Sequence, residues 1–205
     1  MLLHGYSDRI HHALAFTAKH YPQPVSRYDG QSGLIRASSV ALILARYSAD
    51  EPTIVAGILK QLVDGSPIER QASLADEIGK KFGAHVSATV AAAAEPRFDV
   101  LGRERSWKAC RFEYLAKLLA AVPRVVDVAV ADELHRLGSA LVSVRRLGVE
   151  YLETAGVPHP EETRWWMHSL LDSLRAHLTW HRSDMLTDLT HLTGELDRRL
   201  AEVGF

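Results

Sequence analysis

Apolar residues recur along this chain at three- and four-residue steps, and those stripes predict a succession of helices. Between Tyr6 and His20 the stripe is Ile10, Ala13, Leu14, Thr17 and Ala18, which suits an amphipathic helix ended by Pro22 and Pro24. Tyr21 to Gly33 carries prolines, glycines, Ser26 and Asp29 and reads as a loop, long enough to be functional. Val40, Ile43, Leu44 and Tyr47 mark a second helix. Asp50-Glu51-Pro52 then supplies a capping side chain and a first-turn proline for a third, with Ile54, Val55, Ile58, Leu59, Leu62 and Val63 on a buried face up to Gly65-Ser66-Pro67. Ser73 to Asp76 resembles a capping box opening a helix through Leu74, Ile78 and Phe82, which Gly83 breaks.

An alanine-rich helix follows, then a charged loop from Pro96 to Arg105. Next comes a helix carrying Trp107, Arg111, Tyr114, Leu115, Leu118 and Leu119 up to Pro123. Val126, Val128 and Val130 alternate as in a strand, but Ala131, Leu134, Leu137, Leu141 and Val144 continue at helical spacing, so helix is the reading. Beyond a break at Gly156 to Pro160, one helix carries Trp166, Leu170, Leu174 and Leu178. Ser183-Asp184 cap a last one with Leu189, Leu192, Leu196 and Leu200. No segment demands a sheet and no internal repeat appears, so the expected architecture is all-α: a single-domain multi-helix bundle over 1–205, with 161–202 as a C-terminal helical pair packed on it.

Composition narrows the function classes. The chain has 205 residues, 24 Lys+Arg against 25 Asp+Glu, and 47% hydrophobic residues, as expected of one domain with a packed core. A formal net charge of -1 gives no bulk field for nucleic acid or an anionic membrane, so any anion site must be local. Cys110 is the only cysteine, which excludes an intrachain disulfide and any multi-cysteine metal site and favours a reducing cytoplasm. No apolar run reaches the roughly 20 residues of a membrane span, and His4, Asp8 and Arg9 interrupt the N-terminus too early for a signal-peptide core.

The succession Val40-Ala41-Leu42-Ile43-Leu44-Ala45-Arg46-Tyr47-Ser48-Ala49-Asp50-Glu51, followed by Ile54 to Asp64, resembles the metal-dependent HD-domain hydrolases of the RelA/SpoT type. The order continues with Phe82-Gly83 and Val86, Trp107, Tyr114, and Ala131-Asp132-Glu133-Leu134-His135-Arg136, which is similar to that family's Ala-Asp-Lys-Leu-His-Asn stretch. Arg164-Trp165-Trp166 is similar to an aromatic stretch of the small, hydrolase-only members. The resemblance covers nearly the whole chain. It implies an HD-domain-like fold and, in active members, removal of the 3′-pyrophosphate of ppGpp by a divalent metal, usually manganese. In those members the metal is held by a His, an adjacent His-Asp pair and a distal Asp.

The matching positions here are Arg36, Lys60-Gln61 and Asp132, so only the distal Asp is kept. Two side chains that cannot ligate while charged and one weak amide replace three ligands, and the expectation is that the metal cofactor is lost. A Glu-Asp pair that helps place the attacking water in active members corresponds to Asp64-Gly65, which removes a carboxylate as well. The purine-binding Gly-Gln-x-Arg loop of the family is replaced by Tyr21-Pro22-Gln23-Pro24 and a displaced Arg27.

The resemblance therefore implies a cytoplasmic pseudoenzyme, with an active phosphohydrolase built on a reworked site as the alternative. Arg36, Lys60, Gln61, Asp64 and Asp132 form the candidate pocket. Two readings of it stay open: an ion-pair cluster that neutralises Asp132, or a pocket whose cations bind a phosphorylated small molecule or nucleotide. A second copy of the chain or another protein is the other candidate partner, and an exposed part of the Trp165, Trp166 and Trp180 stripe would serve a homodimer.

Bland roles suffice for the remaining polar residues. His177 and His181 would stand one turn apart only if their helix runs through Trp180, and no third ligand accompanies them. His11-His12 point about 100° apart, His135 reads as a packing residue, and Cys110 as a small buried hydrophobe. Arg145-Arg146 and Arg198-Arg199 read as solvated helix faces.

Overall fold

The structure is a computed structural model that describes residues 6–21, 33–148 and 160–202. Nine helices make up these residues: α1 (Asp8–His20), α2 (Gly33–Arg46), α3 (Glu51–Asp64), α4 (Ile68–Phe82), α5 (Ala84–Ala93), α6 (Trp107–Leu119), α7 (Pro123–Leu147), α8 (Pro160–Arg175) and α9 (Ser183–Glu202). The one β-bridge among them pairs Phe98 with Glu104 in the loop before α6. No helix here is long and apolar enough to cross a membrane.

Helix α3 is the axis of the bundle. Asp50 caps it by accepting from the Thr53 N–H at 2.9 Å, Pro52 occupies its first turn, and every residue from Thr53 to Val63 is buried. A helix buried all round must be apolar or must pair its polar groups internally. Around α3 pack α1, α2, α4, α5 and α7. Helix α7 is also buried over most of its N-terminal half, which explains the misleading valine alternation. The intervening Asp127 is buried too and accepts from the Trp180 indole at 2.7 Å. Helices α8 and α9 pack on each other, α8 lying also on α6 and α9 on α7.

Three sequence readings need correction. Helix α2 takes in Gly33, the last residue of the predicted loop, and Arg36 stands in its first turn. Ser73 to Asp76 is no capping box. Pro67 caps α4 six residues earlier, and the Ser73 hydroxyl donates back to the Arg70 carbonyl at 3.0 Å. Helix α8 ends at Arg175, so His177 and His181 do not share a helical turn. The His177 Nδ1 accepts instead from the backbone N–H groups of Thr179, at 3.3 Å, and Trp180, at 3.0 Å. Of the break predicted over Gly156 to Pro160, Pro160 opens α8 and the rest lies outside the described residues, as does the substituted loop from Pro22 to Arg27.

Contact between α2 and α3 depends on a missing side chain. A Cβ at Gly57 would stand 2.5 Å from Leu44 Cδ1 and 3.2 Å from Val40 Cγ1, and both residues are fully buried. We expect Gly57→Ala to destabilise the fold by about 1–3 kcal/mol through overpacking. Gly194→Ala, whose Cβ meets nothing within 4 Å, should stabilise by roughly 0.5–1 kcal/mol through helix propensity. Urea denaturation of the two variants checks the opposite signs.

Candidate functional site

Lys60 and Gln61 lie near the C-terminal end of α3, facing Arg36 from α2 and Asp132 from the middle of α7. The Lys60 side chain is 0% exposed, and its Nζ donates to Asp132 Oδ2 at 2.7 Å and to Asp64 Oδ2 at 2.6 Å. Asp132 Oδ1 accepts from Arg36 Nε at 2.8 Å and from Gln61 Nε2 at 3.1 Å. All five residues singled out in the sequence therefore meet in one cluster.

Two further members escaped the sequence reading. Glu95, just past the end of α5, brings a third carboxylate, and oxygens of Asp64, Glu95 and Asp132 lie within 4.8 Å of one another. Several bonds fix that turn of chain: the Tyr114 hydroxyl donates to Ala93 O at 3.0 Å, and Lys117 Nζ donates to Ala91 O and Ala94 O at 2.9 Å each. The Glu95 N–H itself donates to Asp64 Oδ1 at 3.2 Å. Arg111 is the second addition. It pairs with Glu95 Oε1 at 2.8 Å while its guanidinium lies over Trp166, 4.6 Å from the ring centroid, and over Trp107 at 5.4 Å. The signal for Arg111 was present in the sequence, since it falls on the apolar stripe of α6, where an arginine needs a buried anion.

Glu95 and Arg111 cancel each other, so it is Asp64, ion-paired to Lys60, that alters the charge count. Arg36 and Lys60 against Asp132 leave a surplus of positive charge, the basis for expecting an anion pocket. Arg36, Lys60 and Arg111 against Asp64, Glu95 and Asp132 balance. Titration directions agree with mutual neutralisation. Burial alone would raise Asp132, but Arg36 and Lys60 hold it well below the ordinary carboxylate range. Burial acts the same way on Glu95, and Arg111, Lys60 and Arg36 bring it down to about 2. Lys60 is depressed by burial yet raised overall by Asp132 and Asp64. Asp64 goes the other way: burial outweighs Lys60, and its pKa is raised.

With Lys60 in place, the cluster leaves no room for a divalent metal. Such an ion takes oxygen ligands at about 2.0–2.6 Å, and Asp64, Glu95 and Asp132 together bring carboxylate oxygens close enough to supply them, but in this arrangement the point between Asp64 and Asp132 is filled by the Lys60 ammonium nitrogen. Both Asp132 oxygens already accept N–H groups from Arg36, Gln61 and Lys60. The remaining single candidates are packing groups. Cys110 is buried, its thiol pushed up to about 11 by desolvation, and so stays protonated. Trp166 and Trp180 are core residues whose indoles donate to Glu133, at 3.0 Å, and to Asp127. Trp165 is partly buried against Phe112 and Trp107.

A bundle of this order, with its polar cluster between the second, third and seventh helices, is an all-α single-domain fold of the HD type, and the HD-domain family profile matches residues 13–149. The chain belongs to the HD-domain family. Among solved structures it is similar to lmo0812 from Listeria monocytogenes EGD-e, with a TM-score of 0.66, 18% identity, and coverage of 80% of this chain and 99% of that one. It is also similar to a metazoan ortholog of SpoT that hydrolyses ppGpp and plays a role in starvation responses. There the TM-score is 0.70 with 15% identity, covering 93% of this chain and 97% of that one. No curated protein matches the sequence.

Two measurements probe the network. Lys60→Ala leaves Asp132 and Asp64 short of their shared cation, at an expected cost on the order of 3–5 kcal/mol. Lys60→Met combined with Asp132→Asn should cost less than the two single losses together, because each single change strands the other partner. Denaturant titrations of Lys60→Met, Asp132→Asn and the double variant complete that cycle. For pH the sign follows from the lowered groups. Glu95 and Asp132 titrate below their unfolded values, about 4.3 and 3.9, so they contribute stability above those values that is lost as pH falls through the folded ones. Stability should decline from about pH 4 toward about 2, where Glu95 titrates. Asp64 opposes the decline. Glu95→Gln should flatten the slope, which thermal melts at stepped pH will read.

Proposed function

We propose that this chain is an HD-domain pseudoenzyme in which a tethered lysine has replaced the metal ion, so that it acts by recognition and not by phosphate-ester turnover. The observation that carries this reading is the fully buried Lys60 ammonium, held between Asp132 and Asp64. In the hydrolases it resembles, the ion lowers the pKa of bound water from about 15.7 toward about 7 to make a nucleophile. An ammonium offers only N–H donors and no open coordination position. The reading carries no metal cofactor, and with the charges balanced it favours a macromolecular partner over a phosphorylated ligand. A lone buried thiol is consistent with the cytoplasm as the compartment.

The test is elemental and enzymatic. After expression with manganese and dialysis, the purified protein should carry no stoichiometric bound metal, because three of the inherited ligand positions have lost their donors. It should release no pyrophosphate from ppGpp. One equivalent of retained metal, or metal-dependent turnover abolished by Asp132→Ala, overturns the proposal. The triple variant Arg36→His, Lys60→His, Gln61→Asp restores the ligand types and should gain manganese, measured by calorimetry.

A further inference from the structure

We propose that His177 is an acid-sensitive latch on the C-terminal helical pair: the neutral ring holds the turn between α8 and α9 closed, and a second proton on it opens that turn. This goes beyond the reading of the charged cluster and does not depend on it.

The latch is one nitrogen serving two donors. Helix α8 ends at Arg175, and the chain turns through His177 and Trp180 before α9 begins at Ser183. The His177 Nδ1 accepts from the N–H of Thr179 at 3.3 Å and from that of Trp180 at 3.0 Å. Accepting requires a lone pair on Nδ1, so the ring is neutral and its proton sits on Nε2. Nε2 is buried with no hydrogen-bond partner among the described residues, and His177 as a whole is 7% exposed. One ring nitrogen is committed as an acceptor, and the other faces nothing that would stabilise a charge.

A second proton has no tolerable place on this ring. On Nδ1 it would point at two N–H groups and leave both without an acceptor, that of Trp180 in a buried position. Flipping the ring only turns carbon toward the same donors. The charge would be uncompensated as well. The charged groups on the elements around the turn are Asp172 and Arg175 on α8, Arg182 and Asp184 at the entry to α9, Asp127 on α7 and Asp50 at the head of α3. Asp172 pairs with Arg175 at 3.1 Å, Arg182 pairs with Asp184 at 3.4 Å and Asp127 at 3.6 Å, and Asp50 caps α3. None of them is bonded to His177, and His181 is exposed. The imidazolium therefore forms only when His177 leaves its site, and the turn leaves with it. The event has reach because of what the turn carries: Trp180, 2% exposed, donates its indole N–H to Asp127, and Arg182 donates to the Tyr47 carbonyl just past α2.

The closed ring takes up no second proton, whereas a histidine in the open turn does so at about pH 6.5. The latch is thus fully effective above that pH and weakens below it. The experiment is hydrogen exchange read by mass spectrometry on the full chain from pH 7.5 to 5.5, corrected for the pH dependence of unprotected amides. Protection of the amides of 176–182 should fall about tenfold over that range, while α3 keeps its own. His177→Asn places an amide oxygen where Nδ1 stood, able to accept from the same two N–H groups but not to titrate. Its protection should stay flat. His177→Ala, without an acceptor, should be poorly protected at every pH. The proposal is overturned by a flat wild-type profile or by a fall shared equally by α3, neither of which needs a variant. It is also overturned by an alanine variant protected like wild type, or by a fall that persists in His177→Asn, which would assign the proton to Asp127 or another histidine.

Discussion

An ammonium group held between two carboxylates at the centre of a helix bundle sets the terms for everything around it. Lys60 brings a full charge into the interior, on the helix that most of the others pack against. A charge so placed is tolerated only when each of its donors has an acceptor, and each acceptor in turn creates a demand. Asp132 meets that demand with Arg36 and Gln61. Asp64 brings in the Glu95 backbone, and Glu95 brings in Arg111. The position of α5's end, the face of α6 and the seating of Trp166 follow from this one pairing.

On the reading proposed above, a tethered cation stands in for a diffusible ion, and that changes the thermodynamics of the fold. A bound metal stabilises in proportion to the logarithm of its free concentration, and chelation removes that contribution. A lysine's charge cannot dissociate or exchange, so the centre is always filled. The cost is that its geometry is fixed by a helix and its chemistry is limited to donating hydrogen bonds.

The helices were legible because burial leaves a periodic trace. The α3 stripe, the Asp50 cap and the stop at Gly65 all stand in the sequence as they do in the structure. The start of α4 was not, because Pro67 stands at its N-cap position with no capping side chain to mark it, and reads in the sequence only as part of the break after α3. For the site, Arg36, Lys60, Gln61, Asp64 and Asp132 were found through aligned motifs. Glu95 was not, since it lies in no motif and is brought in by the bonds of Tyr114 and Lys117 to the end of α5. Arg111 stood in plain view on an apolar stripe. A charged residue in such a stripe is a statement about an unseen partner, and following it would have led to Glu95.

The two indole bonds to α7 have a consequence of their own. Trp166, on α8, donates to Glu133, and Trp180, between α8 and α9, donates to Asp127, so the C-terminal segment touches one long helix through two directional contacts along its length. Leucine stripes alone would tolerate sliding by a turn, since one leucine packs much like another. Sliding here would leave two buried indole N–H groups without acceptors at once, while Asp127 would lose Trp180 and Glu133 would keep only Arg136, and neither error could be repaired without the other. The pair of tryptophans thus acts as a two-pin key, admitting a single register of the C-terminal hairpin on its helix.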